Sequence, residues 1–211
     1  MTGRDKVLGA IRQRLSVNTG DATRSLNVQA RIETHSQNTR PGMSRLEGDA
    51  RLAKLKDRAA SKGTVIHAAK DLTQATEIVS HLQEGAPCYT TPAAAQKLRS
   101  AIVPWLPKTS IECCVSTCYC AIAESCTLVI VGDQNNPTSQ IFLSDRHVVL
   151  LPVSQIEDSM ESVWQRLRQD QITTRHLTLV SGPSSTGDIE MQMEQGVHGP
   201  RELHIILLEN E

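Results

Sequence analysis

The sequence predicts an α/β domain with a largely parallel sheet flanked by helices, preceded by a basic N-terminal arm that is part helical and part extended. Three observations predict it. From Thr64 onward, short runs rich in β-branched residues alternate with stretches of helical spacing, the order that parallel βα units produce. Several strand candidates, TLVIVG and RHVVLLPV among them, are apolar on both faces, as strands covered on both sides must be. The 211 residues suit one domain of ordinary size, or one with an arm.

Residues 5–15 form the first helix candidate, with Val7, Leu8, Ile11 and Leu15 on one face. From Ser16 to Ser44 the chain is polar and has no sustained period, so it reads as an extended or disordered connector. The arm is accordingly placed at 1–45 and the α/β domain at 46–211. The apolar face of the first helix offers a contact to a second copy of the chain. A second helix candidate runs from about Glu47 to Lys62, with Leu52, Leu55, Ala59 and Ala60 inward and Gly63 at its C′ position.

Strand candidates follow at 64–69, 86–91, 110–117, 127–132, 146–153, 176–181 and 202–209. Asp71 caps a helix through about Leu82, and Pro92 opens the run AAAQKLRSAI, a residue well placed at a first helical position. Further helices are expected at about 155–169 and near 187–195.

Composition excludes several classes. Aromatic residues are 2% of the chain, too few for aromatic stacking on single-stranded nucleic acid. Net charge is −1, but residues 1–58 carry +6 and residues 59–211 carry −7. A nucleic-acid partner is not expected on that balance. No apolar run reaches 18 residues, so no membrane span is expected, and MTGRDKVLGAIRQRL lacks the apolar block of a secretory signal. The chain therefore reads as cytoplasmic, with its cysteines as thiols.

Cys113, Cys114, Cys118 and Cys120 crowd into one segment, with Cys126 just beyond. They contain no C-x₂-C pair, and Cys113 and Cys114 fall on opposite faces of a strand. No metal site is assigned to them; small buried thiols explain the cluster. No dinucleotide or nucleoside-triphosphate loop is present.

The most informative segment is SGPSSTGDIEMQMEQGVHGPRELHI at 181–205. Ser181, Gly182 and Pro183 end a strand and turn. Ser184, Ser185 and Thr186 precede a helix, with Ser185 and Asp188 at capping-box spacing. Gly196, Gly199 and Arg201 shape a second turn. Exposed N–H groups, hydroxyls and a helix N-terminus suit a small anion bound by Ser181–Thr186, Asp188, Gly196, Gly199 and Arg201. An ordinary capped connection explains the same residues. Open sheets bind ligands beyond the carboxyl ends of their strands. Glu124, in AIAESCTLVI, is a candidate base or nucleophile, or a cap or an Arg201 partner. His198, in a glycine-flanked turn, is a candidate acid–base or orienting residue.

These two stretches resemble the LUD-domain family, the lactate-utilisation protein C type. That family shows Ser-Gly-Pro-Ser-x-Thr-x-Asp-Ile-Glu and then Gly-Val-His-Gly-Pro, matched here by Ser181 to Ser184, Thr186, Asp188 to Glu190 and Gly196 to Pro200. It also shows Ala-Ile-Ala-Glu-Thr-Gly-Thr, matched by Ala121 to Glu124 and Thr127, with Ser125 and Cys126 replacing Thr-Gly. The resemblance implies a fold like the NagB/RpiA/CoA-transferase group. It implies a role in oxidising L-lactate to pyruvate beside partner proteins, one of which carries iron–sulfur clusters, with no cofactor held by this chain. Two alternatives stand beside it. One is a stand-alone CoA-transferase-like enzyme acting on an acyl or phosphorylated substrate through Glu124. The other is a structural subunit whose signature loops face a partner.

Overall fold

The computed structural model describes residues 2–34, 40, 42–86, 88–99, 111–187 and 193–210. Trp105, Asp188 and the middle of the helix expected near 187–195 lie outside the described residues. Contacts divide the chain into two units, residues 1–39 and residues 40–211.

In the first unit, α1 (Gly3–Arg14) begins at a reciprocal cap. The Asp5 N–H donates to the Thr2 hydroxyl at 3.3 Å and the Thr2 N–H donates to the Asp5 carboxylate at 2.9 Å. The expected connector contains a second helix, α2 (Ala22–Thr34), which corrects the extended reading of this stretch. Asp21 starts it by accepting the Arg24 N–H at 3.0 Å. Periodicity gave no sign of α2 because neither helix buries a residue, and Leu26, Val28 and Ile32 all remain exposed. A cleft of about 520 Å³ between the two helices is lined by Leu8, Ile11, Leu15 and Val28.

The second unit runs α3 (Gly48–Ser61), β1 (Val65–Ala69), α4 (Leu72–Gln83), β2 (Cys88–Thr90), α5 (Pro92–Leu98), β3 (Ile111–Thr117) and β4 (Cys120–Ile122). It continues with β5 (Thr127–Val131), α6 (Thr138–Leu143), β6 (Ser144–Pro152), β7 (Ile156–Glu157) and α7 (Met160–Gln169). β8 (Leu177–Val180), β9 (Ser185–Gly187), β10 (Met193–Gln195) and β11 (Glu202–Leu208) complete it. Asp71 caps α4 by accepting the Gln74 N–H at 2.9 Å, and Thr91 caps α5 ahead of Pro92. Gly63 takes φ +72° after α3. The N–H groups of Gly63 and Thr64 bond the Ala60 and Ala59 carbonyls, closing the helix end and fixing Lys62 on its last turn.

Among the described residues two larger sheets form where one was expected, beside a two-stranded β9–β10 pair. The first is parallel throughout, in the order β1-β11-β6-β3-β2. The second is mixed, in the order β7-β4-β5-β8, with antiparallel β4–β5 and β5–β8 pairs. One face of the parallel sheet packs Ile206, Leu208, Val148 and Val115 against α4 and α5. The other face packs Leu203, Ile205, Val149 and Leu151 against Leu128 and Ile130 of the mixed sheet, with Leu55 of α3 and Ile141 of α6. Val163 and Leu167 of α7 cover the outer face of the mixed sheet. The parallel sheet is thus flanked by helices on one face and by a second sheet on the other. Apolar strands alone do not distinguish these covers, because both are equally dry.

His147 is fully buried on the side facing the mixed sheet, with Nε2 2.7 Å from the Ser116 hydroxyl and Nδ1 unpartnered. Burial pushes its pKa down to about 3, so the ring is neutral. Among the described residues no helix is long and apolar enough to cross a membrane.

Candidate functional site

The two signature segments meet. β5 pairs antiparallel with β8 through Leu128 and Val180, which brings Thr127 beside Ser181. The Thr127 hydroxyl donates to the Ser181 hydroxyl at 3.0 Å, and Thr127 lies 2.8 Å from the Ser125 hydroxyl. Lys62 ties the group from α3: its ammonium donates to the Ser125 carbonyl at 2.6 Å and to the Ser181 hydroxyl at 2.5 Å. Gly182, at φ +90°, passes so close that a Cβ would lie 3.3 Å from the Lys62 carbonyl oxygen. Lys62 was not singled out in the sequence. The adjacent Gly63 marked a helix end, but nothing local indicated which segment would cross it.

Cys126 occupies the position where the family places glycine, and it adopts φ +45°. The backbone therefore keeps the left-handed turn that glycine accommodates most easily. The thiol is fully buried, and its pKa is pushed up to about 11 by that burial.

The helix expected near 187–195 is replaced, at both of its described ends, by strands β9 and β10, which pair antiparallel with Thr186 facing Glu194. Ser and Thr ahead of a polar stretch are compatible with an extended pair as well as with a helix cap, because their hydroxyls satisfy backbone groups in both. The segment closes on itself. The Ser184 N–H donates to the Pro200 carbonyl at 2.8 Å and the Gly196 N–H to the Ser184 carbonyl at 3.0 Å. Two donors that the sequence offered to an anion are thus engaged within the loop pair. Gly196, at φ +77°, lies flat against Arg201, since a Cβ there would sit 2.0 Å from Arg201 Cγ. Gly199 lies against Phe142 and Ser184.

The loop pair stands at the amino end of the parallel sheet, because 196–201 leads into β11 and β6 begins beside it. The carboxyl end, where ligands of open sheets are expected, lies on the opposite side. Pro183 approaches Gly63, just before β1.

Glu124 and Arg201 do not meet as a pair. One Glu124 carboxylate oxygen accepts the Met160 N–H of α7 at 3.4 Å, and the Glu124 N–H donates to the Asp158 carbonyl at 3.2 Å. The carboxylate stands at a helix N-terminus, where its charge is favoured. Arg201 lies 3.6 Å from Asp145, both about two-thirds exposed. His198 and Ser185 are exposed, as is Val197 beside His198.

A cavity of about 780 Å³ lies between residues 40–51 and α7, near Glu124 but lined by none of the signature residues. Arg40 pairs with Asp158 at its wall, and Ser162 also donates to that carboxylate. Burial opposes ionisation of Asp158, but the Ser162 hydroxyl and the Arg40 charge prevail and hold its pKa below the usual value. Arg51 bonds the Ile156 carbonyl at 2.7 Å and the Leu46 carbonyl at 3.2 Å. Arg166 bridges Glu157 and Asp170 and lies over the Tyr119 ring.

The six cysteines are buried and free. Cys113 packs on the α4 face of the parallel sheet and Cys114 on the other. Among the described residues no group of three or more His, Cys, Asp or Glu side chains is placed to hold a metal.

Comparison with known proteins agrees with the motifs. Residues 108–208 match the LUD domain family. Lactate utilization protein C of Anoxybacillus flavithermus is 33% identical over 79 residues, 37% of this chain and 36% of that protein. Its counterpart in Deinococcus radiodurans is 34% identical over 92 residues, 42% of this chain and 43% of that one. An uncharacterized protein of Neisseria meningitidis is 28% identical over 102 residues, covering 47% and 43%. The chain therefore spans less than half the length of these curated relatives. A crystal structure of a DUF162 family protein from Deinococcus radiodurans superposes with a TM-score of 0.59 at 20% identity, over 78% of this chain and 99% of that one. The fold is shared with that structure, and residues 108–208, which hold both signature segments, are similar to the LUD domain family and to lactate utilisation proteins of the C type.

Proposed function

We propose that this chain is a cytoplasmic component of an L-lactate utilisation system. In this reading the surface around 196–201 meets an iron–sulfur partner protein, and His198 and Arg201 receive a small hydroxy-acid anion. One observation carries it: the signature loop is anchored from behind while its polar tips stay exposed. Ser184 and Gly196 lock the loop through their backbone. His198 and Val197 are left facing solvent, next to a segment in which Phe142 and Leu143 are also exposed. Contiguous exposed apolar and cationic groups suit a protein contact. The Arg201–Asp145 pair is long and solvated, so a substrate carboxylate can exchange for Asp145 at little cost and gain a bidentate contact.

A second reading, a non-catalytic subunit, is favoured by the Ser184 and Gly196 N–H groups, which are satisfied within the loop pair rather than offered to a ligand. The third, a stand-alone enzyme of the NagB/RpiA/CoA-transferase type, would need Glu124 across a substrate cavity from the loop; its contact with the α7 N-terminus weighs against that.

The test is growth on L-lactate as sole carbon source in a strain lacking this gene. Wild-type chain restores growth. The double change His198→Ala and Arg201→Ala is expected to fold, by circular dichroism, and to fail to restore growth. Full growth with both changes overturns the reading.

A further inference from the structure

One pair of cysteines is placed differently from the other four. β2 and β3 run parallel with Cys88 directly opposite Cys113. Both side chains enter the same cluster under α4 and α5. Directly paired residues of adjacent strands lie about 5 Å apart, inside the Cα separation of about 4.4–6.8 Å that a disulfide spans. The two sulfurs are close enough to influence each other's ionisation, and the Cys88 Sγ stands 3.7 Å from the Tyr89 carbonyl oxygen. We propose that Cys88 and Cys113 are a redox-active pair that closes into a cross-strand disulfide on reaction with a hydroperoxide.

Reactivity separates them from the rest. Burial pushes the thiols of Cys114, Cys118, Cys120 and Cys126 up, to about 12 for Cys120 and about 11 for Cys126. These thiols are inert at neutral pH. Cys88 moves the other way, to about 7, because the neighbouring Cys113 thiol stabilises its thiolate, with Gln83 and Thr90 assisting. Cys113 is held protonated by the same pairing. One thiolate beside one thiol is the arrangement of an attacking and a resolving cysteine.

Access follows from topology. β2 is an edge strand of the described sheet and only three residues long. It follows a turn in which Glu84 and Gly85 both take positive φ. Cys88 is 8% exposed and Cys113 1%, so the attacking sulfur is the outer one. A short edge strand opens locally at low cost.

The chemistry balances. The Cys88 thiolate gives two electrons to the terminal oxygen of hydrogen peroxide, the O–O bond breaks, and hydroxide leaves. Cys88 becomes a sulfenic acid. The Cys113 sulfur then attacks Cys88, the S–O bond breaks, and the departing hydroxide takes the Cys113 proton and leaves as water. The hydroxide from the first step is neutralised by the proton Cys88 had already released to solvent. Two thiols are oxidised and one peroxide is reduced to two waters.

The test uses the full chain, reduced and then exposed to hydrogen peroxide, with thiol counting under denaturing conditions and peptide mapping by mass spectrometry. Two of the six thiols are expected to disappear into one Cys88–Cys113 cross-linked peptide, and dithiothreitol is expected to restore them. Cys113→Ser is expected to leave a sulfenic acid at Cys88 that dimedone traps. Cys88→Ser is expected to keep all its remaining thiols. If either variant fails to fold, the wild-type map still decides. Six free thiols after peroxide, or a disulfide joining other cysteines, overturns the proposal.

Discussion

Thr127 and Ser181 stand with their hydroxyls 3.0 Å apart, and this contact joins two signature segments that are distant in sequence. The antiparallel β5–β8 pair sets the approach, and Lys62 completes it from α3 by bonding both the Ser125 carbonyl and the Ser181 hydroxyl. Three elements that the sequence places far apart are thereby tied at one point, behind the exposed loop.

Removing the shared hydroxyl should loosen that point. Ser181→Ala is expected to cost about 1 kcal/mol, since water replaces part of what an exposed hydroxyl loses. Lys62→Met is expected to cost less alone and to add little on top of Ser181→Ala, with a coupling of about 0.5 kcal/mol. Urea unfolding of the four proteins in the cycle measures this. Strict additivity would mean that Lys62 and Ser181 do not act on one another.

Cys126 holds a left-handed turn without being glycine. A β-branched side chain there is strained at positive φ. Cys126→Val is therefore expected to lower stability by about 2 kcal/mol or more. Cys126→Gly relieves the backbone while vacating a small buried volume, and is expected to stay within about 1 kcal/mol of wild type. A valine variant as stable as the glycine variant would show that the turn has no left-handed requirement.

Stability should fall with acid before the carboxylates titrate. His147 has its pKa depressed by burial to about 3, whereas the unfolded side chain titrates near 6.5. The folded value is the lower one, so the contribution is fully present above pH 6.5 and is lost as pH falls towards 3. The slope is about 1.4 kcal/mol per pH unit in that window. His204 and His67 shift the same way, both chiefly through burial. Glu202, held low by its hydrogen bond to Arg146, adds a loss only below the ordinary carboxylate range. Urea midpoints at about pH 7.5 and about pH 5 should differ clearly in wild type, and less in His147→Gln. Equal differences in the two proteins would remove His147 as the cause.

The strands of the parallel sheet were legible because five of them carry runs such as VIHAA, CYT and IILL, bounded by capping residues at Asp71 and Thr91. The second sheet was legible only in part: β5 and β8 read as strands, whereas β4 and β7 are three and two residues long, and β7 pairs with β4 from more than thirty residues away, which no period in the sequence records. The signature motifs located the loop pair, but its extended form depends on β9 meeting β10, and its place at the amino end depends on the order of all five parallel strands. Lys62 at the site was equally hidden. Its role comes from an approach between the end of α3 and the residue after β8.

Glu124 provides the last test, because its two readings differ in one atom. As a helix cap, a Glu124 oxygen accepts the Met160 N–H, and a glutamine side chain offers an equivalent carbonyl oxygen. Glu124→Gln is then expected to keep both the fold and growth on lactate, losing only the favourable charge at the α7 N-terminus, about 0.5 kcal/mol. Glu124→Ala is expected to cost about 1 kcal/mol, because the N–H loses its partner. As a nucleophile or base, the same carboxylate tolerates no amide, since the amide neither attacks nor takes up a proton at neutral pH. Lactate growth with Glu124→Gln, read beside the unfolding midpoint of each variant, separates the two. A stable Glu124→Gln chain that cannot support growth would move Glu124 from the helix end into the chemistry and revive the stand-alone enzyme.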